Sequence, residues 1–185
     1  MRIVAGSRRG LHLNAPEGTT TRPTSERARE SLFNILATPK HAKKWHDRPV
    51  ADFFAGTGAL GLEALSRGAR HCSFLENDPA ASKVLSANIN KARFRDVTTI
   101  LNKDATKPPT AKVPCGLIFF DPPSRDLVAE NSLVAALRHG WLAKDGWAVL
   151  QLHSKAPFEC PHGFDVIDDR RYGATRFLFL DPEQG

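Results

Sequence analysis

The stretch VADFFAGTGALGLEAL, residues 50–65, decides how this chain folds. It begins as a short run of β-forming residues, passes through glycines at 56, 58 and 61, and then sets Leu62 and Leu65 at helical spacing. A strand that turns through glycines directly into a helix is the opening of a parallel β-α-β unit. The three glycines match G-x-G-x-x-G, a pattern that lets backbone approach a ligand where a side chain would obstruct it. The helix is expected over residues 58–67, ending at Gly68.

Outward from this stretch, strand-like and helical segments alternate. CSFLE (72–76), VTTIL (97–101), GLIFF (116–120) and WAVLQLH (147–153) are short and rich in β formers, as buried parallel strands are. A second helix is expected over residues 79–93, behind Asp78 as its cap and with Pro79 at its first position. The closing FDVIDDRRYGATRFLFL reads as two strands around a turn at residues 172–174. The alternation predicts an α/β fold with a doubly wound, mostly parallel seven-stranded sheet and an antiparallel C-terminal hairpin. Before the sheet, RIVAG and GLHLNAP suggest a small β-hairpin. TSERARESLFNILA (24–37) then suggests an amphipathic helix with Thr24 as cap, Glu26 in the first turn and Ala28, Leu32, Ile35 and Leu36 on one face. Arg27 and Glu30 face elsewhere, spaced as a surface pair.

Composition narrows the class. A chain of 185 residues with 41% hydrophobic content most simply makes one domain with a proper core. No apolar run approaches the roughly 18 residues of a membrane helix, and the N terminus lacks a secretory h-region, so a soluble cytoplasmic protein without a membrane partner is expected. Cys72, Cys115 and Cys160 are odd in number and widely spaced, which suggests neither a disulfide framework nor a metal site. Residues 1–50 hold ten Lys or Arg against four acids, and the whole chain is also +6, so the entire basic excess lies there. Such a segment is what a phosphate-binding appendage needs, although a solvated charged face has the same composition.

Four acidic positions give the glycine loop its chemistry. G-x-G-x-x-G serves nicotinamide dinucleotides and S-adenosylmethionine alike. Asp52, four residues before Gly56, faces a cation more comfortably than a pyrophosphate, and the amino group of S-adenosylmethionine is such a cation. Glu76 closes the second strand, where it can accept from both ribose hydroxyls in either cofactor class. Asp104 could accept from an adenine amino group or simply make a loop turn. FFDPPS (119–124) ends the fourth strand beside them. There the Asp121 carboxylate and the Pro122 carbonyl form two acceptors for the two N–H bonds of an exocyclic base amine, turning its lone pair toward a methyl donor and stabilising charge that develops on nitrogen.

With these residues in place, the chain resembles the class I S-adenosylmethionine-dependent methyltransferases of Rossmann-like fold. Within them it resembles the bacterial small-subunit (16S) ribosomal RNA guanine-N2 methyltransferases, the RsmD family. RIVAGSRRGLHL, TRPTSERARESLFNIL, DFFAGTGALGLEALSRGA, FLEND, IFFDPP and YGATRFLFL are similar to that family's segments in its order, across essentially the whole chain. The resemblance implies an enzyme with a basic RNA-binding extension at residues 1–48 and a methyltransferase domain at 49–185. It also implies that Asp52, Gly56, Thr57 and Gly58 line the methionine side of the cofactor, Glu76 the ribose, and Asp104 with Ala105 the adenine. Asp121, Pro122 and Pro123 would hold the target amino group without a metal. Arg8, Arg9, Arg22, Thr24, Arg27 and Ser124 would contact RNA. The implied substrate is small-subunit ribosomal RNA within an assembling subunit that carries ribosomal proteins, acted on by a monomer.

The family usually has an aromatic residue after the two prolines, and here Ser124 stands there. Serine cannot stack on a base. A DNA adenine-N6 methyltransferase, which also uses a D-P-P type motif, and a catalytically weak RNA-binding relative therefore stay open as alternatives.

Overall fold

The computed structural model describes residues 1–17, 24–125 and 127–184. Its elements are α1 (Glu26–Leu36), α2 (Pro39–Trp45), β1 (Pro49–Phe53), α3 (Ala59–Ser66), β2 (His71–Leu75), α4 (Pro79–Ala92), β3 (Thr98–Leu101), β4 (Cys115–Phe120), α5 (Val128–Arg138), β5 (Leu142–His153), β6 (Phe164–Tyr172) and β7 (Thr175–Pro182). One seven-stranded sheet has the order β3-β2-β1-β4-β5-β7-β6. The first five strands in this row run parallel, and β7 pairs antiparallel with both β5 and β6. The expected α/β sheet and its closing hairpin are therefore present. The order reverses between β1 and β4, the switch point outside which ligands bind in open sheets.

Local chemistry sets the element ends. Asp78 caps α4 by accepting from Ala81 N at 2.8 Å, as expected, while α1 is capped by Ser25, which accepts from Ala28 N at 3.0 Å, rather than by Thr24. The Thr24 hydroxyl is instead held by the amide of Gln151 from β5. Arg27 and Glu30 form no ion pair among the described residues; Glu26 pairs with Arg2 at 3.2 Å. β5 starts at Leu142, five residues before the expected WAVLQLH, because LAKDG continues the strand through an irregular register beside β4. The α2 and α5 helices are additions to the elements expected from the sequence.

The N-terminal hairpin is one bridge, Arg2 to His12, and its surroundings explain why so little ladder suffices. Val4 N donates to both oxygens of Glu63 at 3.1 Å, and Ser7 N donates to Ser66 O at 2.8 Å. The segment is thus bonded to α3 as well as to itself. Gly6, with φ +87°, permits this: a Cβ there would lie 1.9 Å from Ser66 O. Ile3, Leu13, Leu32, Phe33 and Leu36 belong to the same buried cluster as Phe74 and Phe119 of the sheet. The described part of residues 1–48 consequently shares one hydrophobic core with the sheet face above which α3 and α4 lie.

Candidate active site

The carboxyl ends of β1, β2 and β4 and the loop after β3 open onto a cavity of about 1380 Å³. That exceeds the 300–1,000 Å³ typical of a single small-molecule site and leaves room for a nucleoside-sized group together with a base. Asp52, Gly56, Thr57, Glu76, Asp104 and Ala105 line it, and so do Asp121, Pro122, Pro123, Ser124 and Thr24. Gly58 lies just beneath, where a Cβ would come within 2.4 Å of Leu85. The predicted cofactor and base-holding residues therefore converge on one space.

Each acid is held by the glycine loop or its neighbours. Asp52, at the end of β1, is buried and accepts from Gly61 N at 3.0 Å in the first turn of α3. Glu76 accepts from Gly56 N at 2.8 Å through one oxygen and from Asp78 N at 2.9 Å through the other. Asp104 accepts from Thr106 N and Thr106 Oγ1 through one oxygen, so it does make a turn, and it lines the cavity as well. Asn88, a buried residue of α4 that no sequence motif marks, donates to Thr57 O at 2.9 Å and to Asn14 O at 3.0 Å, tying the loop to the N-terminal segment.

The electrostatics call for a positive ligand. Burial pushes the Asp52 carboxyl well above its ordinary range, Gly61 N–H opposes that shift, and the charges of Asp121 and Glu76 add to it. Burial in the surrounding protein pushes Asp121 up to about 7. The residue is exposed to the cavity, whose water opposes this, so the full displacement belongs to a site covered by a base. Asp52 thus feels two neighbouring carboxylates, and a cation beside it relieves that cost, whereas a pyrophosphate would increase it.

At Asp121 and Pro122 the acceptors, a carboxylate and a carbonyl, face no donor among the described residues, while Pro123 O accepts from Arg125 N at 2.8 Å. Phe119 and Phe120 are both buried in the sheet, so neither supplies the stacking ring that Ser124 lacks.

The family model described as Conserved hypothetical protein 95 matches residues 1–181. Ribosomal RNA small subunit methyltransferase D of Escherichia coli K12 is 36% identical over 145 residues, covering 78% of this chain and 71% of the relative. The chain belongs to the RsmD family. The methyltransferase D of Haemophilus influenzae is 28% identical over 181 residues, covering 96% of this chain and 91% of its own. The solved structure of yhhF from Escherichia coli superposes with a TM-score of 0.84 at 31% identity, covering 99% and 98% of the two chains. The fold of this RsmD-family chain is thus the Rossmann-like methyltransferase fold throughout its length.

The predicted RNA contacts divide. Arg8 is committed to the fold: its Nε donates to Ala92 O at the end of α4, and its guanidinium lies 4.7 Å from the centre of the Phe94 ring. Arg2 pairs with Glu26, and Arg48 with Asp145. Arg9 and Arg27 are exposed and make no ion pair with a described residue, as do Lys40 and Lys43 of α2. Arg22 lies outside the described residues.

Proposed function

We propose that this chain transfers a methyl group from S-adenosylmethionine to the exocyclic N2 amine of a guanine in small-subunit ribosomal RNA. The observation that carries the reading is the pair of acceptors at the end of β4, Asp121 and Pro122, unpaired among the described residues and opening into the same cavity as Asp52 and Glu76. The rRNA substrate is supported by the names of its relatives in the RsmD family.

The acids fit the donor. Asp52 would take its ammonium group, Glu76 its ribose hydroxyls and Asp104 its adenine amine, each by accepting hydrogen bonds. Bound there, the donor supplies an electrophilic methyl on a sulfonium. The chain's own part is orientation. Asp121 and Pro122 O accept from the two N–H bonds of the base amine, which frees the nitrogen lone pair to point along the sulfur–methyl axis. As positive charge grows on nitrogen, the Asp121 carboxylate stabilises it and can then take the departing proton. Incubation with methyl-labelled S-adenosylmethionine and undermethylated small subunits is expected to label one guanine. Label in duplex DNA but not in rRNA would replace this reading with adenine-N6 methylation.

The exposed cations of the N-terminal segment would hold the RNA, a part of the reading that separates readily from the chemistry, since Arg9 and Lys43 lie outside the cavity. Charge reversal at either should weaken RNA binding and lower the salt dependence by about one phosphate contact. Filter binding across a salt series measures this. An unchanged slope would leave these residues as a solvated face. Reversal at Arg8 is expected to act on stability instead, because its partners are Ala92 and Phe94.

A further inference from the structure

Arg29 of α1 is a fully buried charged side chain that lines the cavity. Its Nη2 donates to Arg2 O, while Nε and Nη1 have no hydrogen-bond partner among the described residues. Glu63 attracts it through space but spends its oxygens on Val4 N and Arg67 Nη2. A buried guanidinium with two unpaired nitrogens is costly, and such groups in native proteins call for an anion that completes them. The Arg29 fork suits a carboxylate, whose geometry matches it.

The cavity indicates which carboxylate. Asp104 and Ala105 line it after β3, Glu76 lines it after β2, and Arg29 lines it from the N-terminal segment together with Met1, Ala15 and Thr24. An α-amino acid carries its ammonium and its carboxylate on one carbon, so a tail whose ammonium meets Asp52 needs a cation for its other charge. Arg29 is wholly buried in the cavity wall, a position that the slim amino-acid tail of a small donor reaches more readily than the phosphate of a polynucleotide. We propose that Arg29 binds the α-carboxylate of the methyl donor's methionine, an assignment that rests on the donor reading above.

The test compares adenosyl ligands with and without that carboxylate. Calorimetry on the wild-type protein with S-adenosylhomocysteine and with its decarboxylated analogue should give a preference of about 10- to 100-fold for the former, the range for a charge-assisted bond. Arg29→Met should reduce the preference to within about threefold and leave the affinity for 5′-methylthioadenosine, which lacks the amino-acid head, unchanged within about twofold. Tight wild-type binding with no preference overturns the Arg29 assignment alone, and that comparison does not depend on how the variant folds. Wild-type protein that binds none of the three ligands overturns the donor reading and this assignment together. A preference retained in a folded Arg29→Met protein that binds RNA more weakly would assign the residue to a phosphate instead.

Discussion

Replacing Asp121 with alanine lowers methyl transfer by about 100-fold or more while the affinity for S-adenosylhomocysteine stays within about twofold, the result expected when one preorganised charge-stabilising group is lost. The asymmetry follows from position. Asp121 lines the cavity at the end of β4, and its carboxylate makes no hydrogen bond to a described residue, so its removal unties nothing that shapes the glycine loop. Single-turnover rates and calorimetry separate the two effects, and an equal loss in both would show that Asp121 holds the donor. The same carboxyl sets a pH dependence. Because burial pushes it up to about 7, it is protonated in acid and ionised in base, so the single-turnover rate should rise with pH through neutrality and level off above. Asp121→Asn, which cannot ionise, should show a low rate without that step.

Replacing Glu76 with alanine has the opposite signature. Its two oxygens accept from Gly56 N and Asp78 N, so they organise the loop and the start of α4 while facing the cavity. The variant loses the ribose acceptors and also leaves Gly56 N–H without a partner. Charge-assisted bonds of this kind contribute about 1.5–3 kcal/mol each, so S-adenosylhomocysteine affinity should fall by about 100-fold or more. Calorimetry measures the loss. At saturating donor the transfer step should change far less, because Glu76 does not contact the reacting amine in this reading. Glu76→Gln, which keeps an acceptor oxygen, should recover part of the affinity; wild-type affinity in Glu76→Ala would remove it from the donor site.

The strand-glycine-helix step at residues 50–65, the alternation after it and the closing hairpin could be read without coordinates. Each depends on local chemistry: β-formers in short runs, glycine where backbone must approach closely, and caps such as Asp78. The acids Asp52, Glu76, Asp104 and Asp121 were legible for a related reason, since parallel strands end on one side of a sheet, and a residue's place at a strand end places it at that edge. What local pattern does not carry is the partner of each polar group. The sequence alone showed ten basic residues in the first fifty but not that Arg8 is bound to α4, that Arg2 and Arg48 are paired, or that Arg29 is buried beside the cavity. Nor did it show that Ser25 rather than Thr24 caps α1, because Thr24 meets Gln151 from a strand 127 positions away in the chain. Hydrogen bonds and burial at such separations are settled by packing between elements, so the sequence by itself determined the order and type of the elements and which acids reach one edge, while tertiary contact decided which charges remain free to act.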